Sequence, residues 1–121
     1  MAELSGFPGG MPVIRIRVGA GTDRTVDVPF AGTALRRLRG LLLGGDQLLL
    51  HPCTSVHGLG MRRALEVAYI GRDGTVLDVA PLRPWTMHLP RKGAAAVWET
   101  LPGELTALGV RPGTVLGFET P

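Results

Sequence analysis

Glycine and proline punctuate this chain at short intervals, and that spacing limits what it can build. The 121 residues include 18 glycines and 10 prolines, about a quarter of the chain. Glycine costs a helix backbone entropy, proline removes a helical hydrogen bond, and both favour turns. The pattern argues against a helical bundle and for many short strands joined by tight turns. With 45% apolar and 19% charged residues, the composition is that of a folding chain. No apolar run approaches the ~18 residues of a membrane-spanning helix. Two independent cores of about 60 residues each would be marginal, so one domain is expected. Residues 12–121 should form it, behind a flexible lead of residues 1–11.

Val13 to Val18 alternate cleanly, with Ile14, Ile16 and Val18 on one face and Arg15 and Arg17 on the other. Period two over six residues marks a half-buried strand. After a glycine-rich turn, Val26, Val28 and Phe30 alternate with polar residues and complete a hairpin. Thr33 suits a helix N-cap, and Leu35, Leu38, Leu41 and Leu42 recur at helical spacing, giving a short amphipathic helix over residues 34–42. Further strands are expected at residues 47–50, 65–70, 75–79, 94–100 and 114–119, with Gly71-Arg72-Asp73-Gly74 as a turn and a brief helical turn near residues 104–108. The fold class is therefore mainly β: a small antiparallel β-sandwich or barrel-like domain with one or two short helices.

Net charge is +3, and twelve of the 13 basic residues are Arg, Lys92 being the exception. The clusters Arg36/Arg37/Arg39, Arg62/Arg63 and Arg91/Lys92 are sparse for a nucleic-acid binder, and only six aromatics are available to stack bases. Nucleic-acid binding is therefore not the leading expectation, and no cofactor is expected. The lone Cys53 cannot form an internal disulfide, and the first residues do not read as a signal peptide. A bacterial-type cytoplasmic protein is the expectation.

The densest polar constellation lies between His51 and Glu66. Cys53, Ser55 and His57 stand at alternate positions and would share a face if that piece were extended. A thiol or hydroxyl near a histidine can serve nucleophilic catalysis, and a His, a Cys and a carboxylate can hold zinc. Against both stand the missing Cys-x-x-Cys, His-Glu-x-x-His and Gly-x-Ser-x-Gly patterns. The plainer reading makes Cys53 a small buried group, Ser55 a partner for loop backbone and His57 a loop anchor. Glu66 and Glu99 interrupt apolar strands. Each either points to water or faces a shared hollow, where it could pair with Arg39 or share a proton. Trp85 and Trp98 read as core residues rather than pocket walls.

The order of these pieces resembles domain-of-unknown-function family 192, also called uncharacterised protein family 0127. Leu38-Arg39-Gly40-Leu41-Leu42 is similar to its Arg-Gly-Leu-Met opening, and residues 48–52 to its leucines followed by proline. Ser55-Val56-His57-Gly58-Leu59-Gly60-Met61 resembles a Ser-Val-His-Thr-x-x-Met stretch, and residues 65–70 an Ile/Leu-Asp-Val-Val-Phe strand followed by Asp-Gly. Val97-Trp98-Glu99 and residues 108–113 match its closing pieces. Leu42, Gly58, Glu66 and Thr114 depart from the family's Met, Thr, Asp and Asp. The resemblance implies a compact, mainly β, sandwich-like fold and no particular activity.

The leading expectation is a binding or accessory module, not an enzyme. Its cleft would be lined by Arg39, His57, Met61, Glu66 and Glu99 and would take a small polar molecule or a protein segment. The alternative is a hydrolase-like or metal-assisted enzyme using His57 with Glu66, Glu99 or Cys53. A weak nucleic-acid or anionic-surface binder is third.

Overall fold

The computed structural model describes residues 13–19, 24–31, 47–58 and 63–121. The expected lead, the helix over residues 34–42, Arg39 and Met61 lie outside the described residues. Strands β1 (Val13–Val18), β2 (Thr25–Ala31), β3 (Leu48–Leu50), β4 (Leu65–Gly71), β5 (Val76–Leu82), β6 (Ala94–Thr100) and β7 (Leu116–Glu119) form one sheet in the order β5-β4-β6-β3-β2-β1-β7. The helical turn is α1 (Glu104–Ala107). Neighbouring strands run antiparallel except β2 and β3, which pair in parallel through Phe30 and Leu49. The mainly β expectation therefore holds, with this one parallel step in an otherwise antiparallel sheet.

The period-two faces explain how the sheet curls. Ile14 lies opposite Val28, Ile16 opposite Val26 and Phe118, and Val18 opposite Leu116. Ile14, Ile16, Val18, Val28 and Leu116 join Leu49, Ala68, Ile70, Val76 and Trp98 in one inner core, with Val26 packed against it. Leu105 of α1 and Val110 are buried in the same core. Burying that face wraps the sheet toward itself. Its two ends meet at a bridge between Thr75 and Val115, where Val76 N–H donates to Thr114 O at 2.8 Å and Leu116 N–H to Gly74 O at 2.9 Å. The curled sheet does not close into a barrel.

Residues of β4 and β6 are buried on both faces, unlike the alternating β1. Their second face, with Leu65, Val67, Tyr69 and Val97, packs with Leu48, Leu50, Leu82, Cys53 and Val56 in an outer core. Over it lies a flap made of two irregular segments, residues 53–58 and 84–91. His88 N–H donates to Val56 O (3.0 Å), Arg91 N–H to Thr54 O (2.9 Å), Gly58 N–H to Thr86 O (2.7 Å) and Trp85 N–H to Gly58 O (2.7 Å). A Cβ at Gly58 would stand 2.3 Å from Arg83 O, so the flap needs glycine there.

Candidate functional site

Alternation along paired strands separates the two acids expected to share a cleft. Val67 lies opposite Glu99, and Glu66 lies opposite Thr100. Glu99 therefore shares the outer face with Val67, while Glu66 shares the inner face with Ala68. A single hollow lined by both is corrected by this geometry. Glu66 Oε1 accepts the Leu105 N–H at 3.2 Å, tying β4 to the first turn of α1, whose leading amides have no partner within the helix. Glu99 is only 2% exposed and sits beneath the outer layer.

Cys53, Ser55 and His57 do not share a face either. Cys53 is buried in the outer core and its thiol donates to Ser55 O at 3.0 Å, whereas His57 is exposed and bridges to Met87 across the flap. The extended-segment expectation fails because residues 53–58 form an irregular half of the flap. Trp98 is fully buried, as expected, but Trp85 is 70% exposed and not core.

Sequence reasoning missed a polar staple on the outer face. Tyr69 and His88 are joined at 2.6 Å through the phenol oxygen and Nδ1, and His88 Nε2 lies 3.0 Å from Pro81 O. A carbonyl only accepts, so Nε2 carries the proton and the neutral ring's Nδ1 accepts the Tyr69 hydroxyl. Arg91 lies over the Tyr69 ring at 4.7 Å and its Nε donates to Asp78 Oδ2 at 3.1 Å. Every ring nitrogen and the phenol hydrogen are thus used to pin the flap to the sheet. Tyr69 and His88 are 19 residues apart, and no local pattern links them.

Burial pushes the Tyr69 hydroxyl up to about 12, with nearby Cys53, Asp78 and Glu99 adding to the rise and Arg91 opposing it. Tyr69 is the single tyrosine, so phenolate absorbance reports on it alone. In the native protein its midpoint is expected near 12, against about 10 in denaturant. Because the folded value is the higher one, the stabilisation is complete below pH 10. It is lost as pH rises from about 10 to about 12. A native midpoint near 10 would contradict the buried placement.

A pocket of about 190 Å³ opens at one end of the curled sheet. The core residues Ile14, Leu49, Ile70 and Ala96 form its floor, Phe30 and Phe118 flank it, and His51 and Arg72 stand at the rim. The β4–β5 turn positions Arg72. Asp73 Oδ1 accepts the Thr75 N–H at 3.0 Å, which holds its carboxyl below the usual range and keeps it on the turn. Arg72 is exposed and makes no ion pair or hydrogen bond among the described residues. His51 stacks obliquely near Phe30, with ring centres 6.4 Å apart. An apolar floor beneath a guanidinium is chemically suited to an apolar group bearing a negative charge. A second, more open hollow of about 540 Å³ lies beside Val18, Gly109 and Arg111, but its Arg24 already donates to Leu108 O at 2.8 Å. Among the described residues no three His, Cys, Asp or Glu side chains converge as metal ligands, and no helix is long and apolar enough to cross a membrane.

Over residues 16–118 the chain matches the family model described as DUF192, uncharacterized ACR. It is 29% identical over 106 residues to a UPF0127 protein of Pyrococcus furiosus, covering 81% of this chain and 91% of that one. That relative is archaeal and lends no support to a bacterial-type origin. Among solved structures, a candidate transcription regulator of Sinorhizobium meliloti superposes with a TM-score of 0.73 at 23% identity, over 97% of this chain and 98% of that one. A Novosphingobium aromaticivorans protein of unknown function gives 0.67 at 20% identity, over 89% and 85%. At these identities the two structures share the fold.

Proposed function

Because this chain belongs to the DUF192 family of uncharacterised proteins, we propose from its own geometry that it is a binding module, not an enzyme, and that it holds a small apolar carboxylate in the pocket at the end of the curled sheet. The observation that carries this reading is Arg72, without an ion pair or hydrogen bond among the described residues, at the rim of an apolar hole. Size narrows the ligand. Drug-sized ligands occupy pockets of ~300–1,000 Å³, while a dry cavity of ~150 Å³ accepts benzene. A pocket of about 190 Å³ suits one ring or a branched chain of a few carbons. The carboxylate would meet Arg72, with His51 beside it.

Of the five residues first expected to line a cleft, Glu66 supports α1 and Glu99 lies under the outer layer, so neither takes part in this pocket. Arg39 and Met61 lie outside the described residues. His57 is exposed on the flap, on the other layer of the molecule.

Calorimetric titration with benzoate and isovalerate, and with benzamide as the uncharged control, tests the proposal. Saturable binding of a carboxylate is expected, weakened about tenfold or more by Arg72→Ala because a charge-assisted contact contributes ~1.5–3 kcal/mol. Ala95→Leu, at a half-buried wall position, should fill the hole and abolish binding while the fold persists. Absence of saturable binding, or binding indifferent to both substitutions, would overturn the reading.

A further inference from the structure

The segment 83–92, Arg-Pro-Trp-Thr-Met-His-Leu-Pro-Arg-Lys, presents its residues in two opposed sets. His88 and Arg91 turn toward the protein: His88 is held by Tyr69 and Pro81, and Arg91 lies over the Tyr69 ring and reaches Asp78, while the exposed Thr86 closes a local turn by donating from Oγ1 to Arg83 O at 2.6 Å. Trp85, Met87 and Leu89 turn outward, 70%, 71% and 80% exposed. Exposure that high describes side chains standing proud of the surface, not lining a groove. Water-exposed apolar side chains in a row, one of them tryptophan, are unfavourable unless something covers them. The ridge is also fixed. Trp85 has φ 63, a left-handed conformation that costs a non-glycine residue energy, and the flap's hydrogen bonds to Gly58, Val56 and Thr54 hold it there. A preset ridge loses little conformational entropy when covered.

The geometry points to the anionic surface of a lipid bilayer as what covers this ridge, with Trp85, Met87 and Leu89 entering the interface. The charge around the ridge supports that choice. Arg83 and Lys92 flank it, exposed and without an ion pair among the described residues, and the segment itself carries no acid. Arg91 is partnered by Asp78 beneath the flap and contributes less. Tryptophan favours the boundary between headgroups and acyl chains, and cations at that depth meet negative lipid headgroups. A convex ridge fits a deformable lipid surface, whereas a peptide partner would need a groove to lie in. This site is on the flap and is independent of the carboxylate pocket.

The test uses the full chain with vesicles of phosphatidylcholine alone and of phosphatidylcholine with phosphatidylglycerol, followed by co-flotation and tryptophan emission. The chain has two tryptophans, and Trp98 is fully buried, so a blue shift and quenching by brominated lipid report Trp85. Binding to the anionic vesicles is expected, falling with added salt. Leu89→Ser with Met87→Ser should lower partitioning about tenfold or more while leaving Trp85 as reporter. Arg83→Gln and Lys92→Gln should each lower it about fivefold. All four positions are exposed, so the variants are expected to keep the wild-type melting temperature. Absence of binding to anionic vesicles, binding unchanged by the Leu89/Met87 pair, or a ridge-dependent dimer in sedimentation without vesicle binding would overturn the proposal.

Discussion

Trp98→Ala is expected to remove about 3–5 kcal/mol of stability, a large share of the ~5–15 kcal/mol that holds a domain of this kind together. Trp98 is the largest fully buried side chain. It stands on the inner face of β6 between Ala68 of β4 and Leu49 of β3, which lie directly opposite it in the two ladders. Small alanine on one side leaves room for the indole. The indole N–H also donates to Gln47 Oε1 at 3.1 Å, just before β3. Removing the ring therefore opens a cavity and releases the start of a three-residue strand. Trp98→Phe keeps most of the packing and should cost roughly 1–2 kcal/mol, the price of the lost hydrogen bond and some volume. Urea unfolding of both variants checks this. An alanine variant within about 1 kcal/mol of wild type would show that the inner core is not organised around this ring.

Gly74→Ala is the second large effect, and Gly103→Ala is its control. Both glycines have φ 87, so alanine carries the same left-handed penalty, about 1–2 kcal/mol, at each. Their surroundings differ. At Gly103 a new Cβ meets nothing within 4 Å, whereas at Gly74 it would lie 2.5 Å from Leu116 O. Gly74 O also accepts the Leu116 N–H, so the clash falls on the contact that draws β7 to the end of β5. We expect Gly74→Ala to cost about 2–4 kcal/mol, clearly more than Gly103→Ala. Equal losses at the two sites would mean that the meeting of the sheet's ends contributes little. Since Phe118 of β7 flanks the pocket, Gly74→Ala should also weaken carboxylate binding, while Gly103→Ala should not.

The strands themselves were readable because period two is a local property. Ile14, Ile16 and Val18 announce a buried face without reference to anything distant, and Gly71 to Gly74 announce the turn after β4. The acids were harder. Glu66 and Glu99 both interrupt apolar runs, but whether two strand residues share a face depends on register, and register is set by pairing across the sheet. With Val67, not Glu66, opposite Glu99, the two carboxylates part. Trp85 misled for a related reason: tryptophan is usually core, and only the flap's path over the outer face leaves this one in solvent. His88 and Tyr69, and Arg72 and the Ile14, Leu49 and Ala96 part of the pocket floor, come together from far along the chain, so no window of sequence displays them.

The order of residues alone determined a β-rich chain, the places where it turns, and the faces that must leave water, because these follow from alternation, glycine and proline acting over a few residues. Tertiary structure decided the parallel step between β2 and β3, the meeting of the sheet's two ends, the separation of Glu66 from Glu99, and the hole beneath Arg72. Each of those depends on which distant backbones pair and how far the sheet twists, quantities that short-range chemistry constrains only weakly.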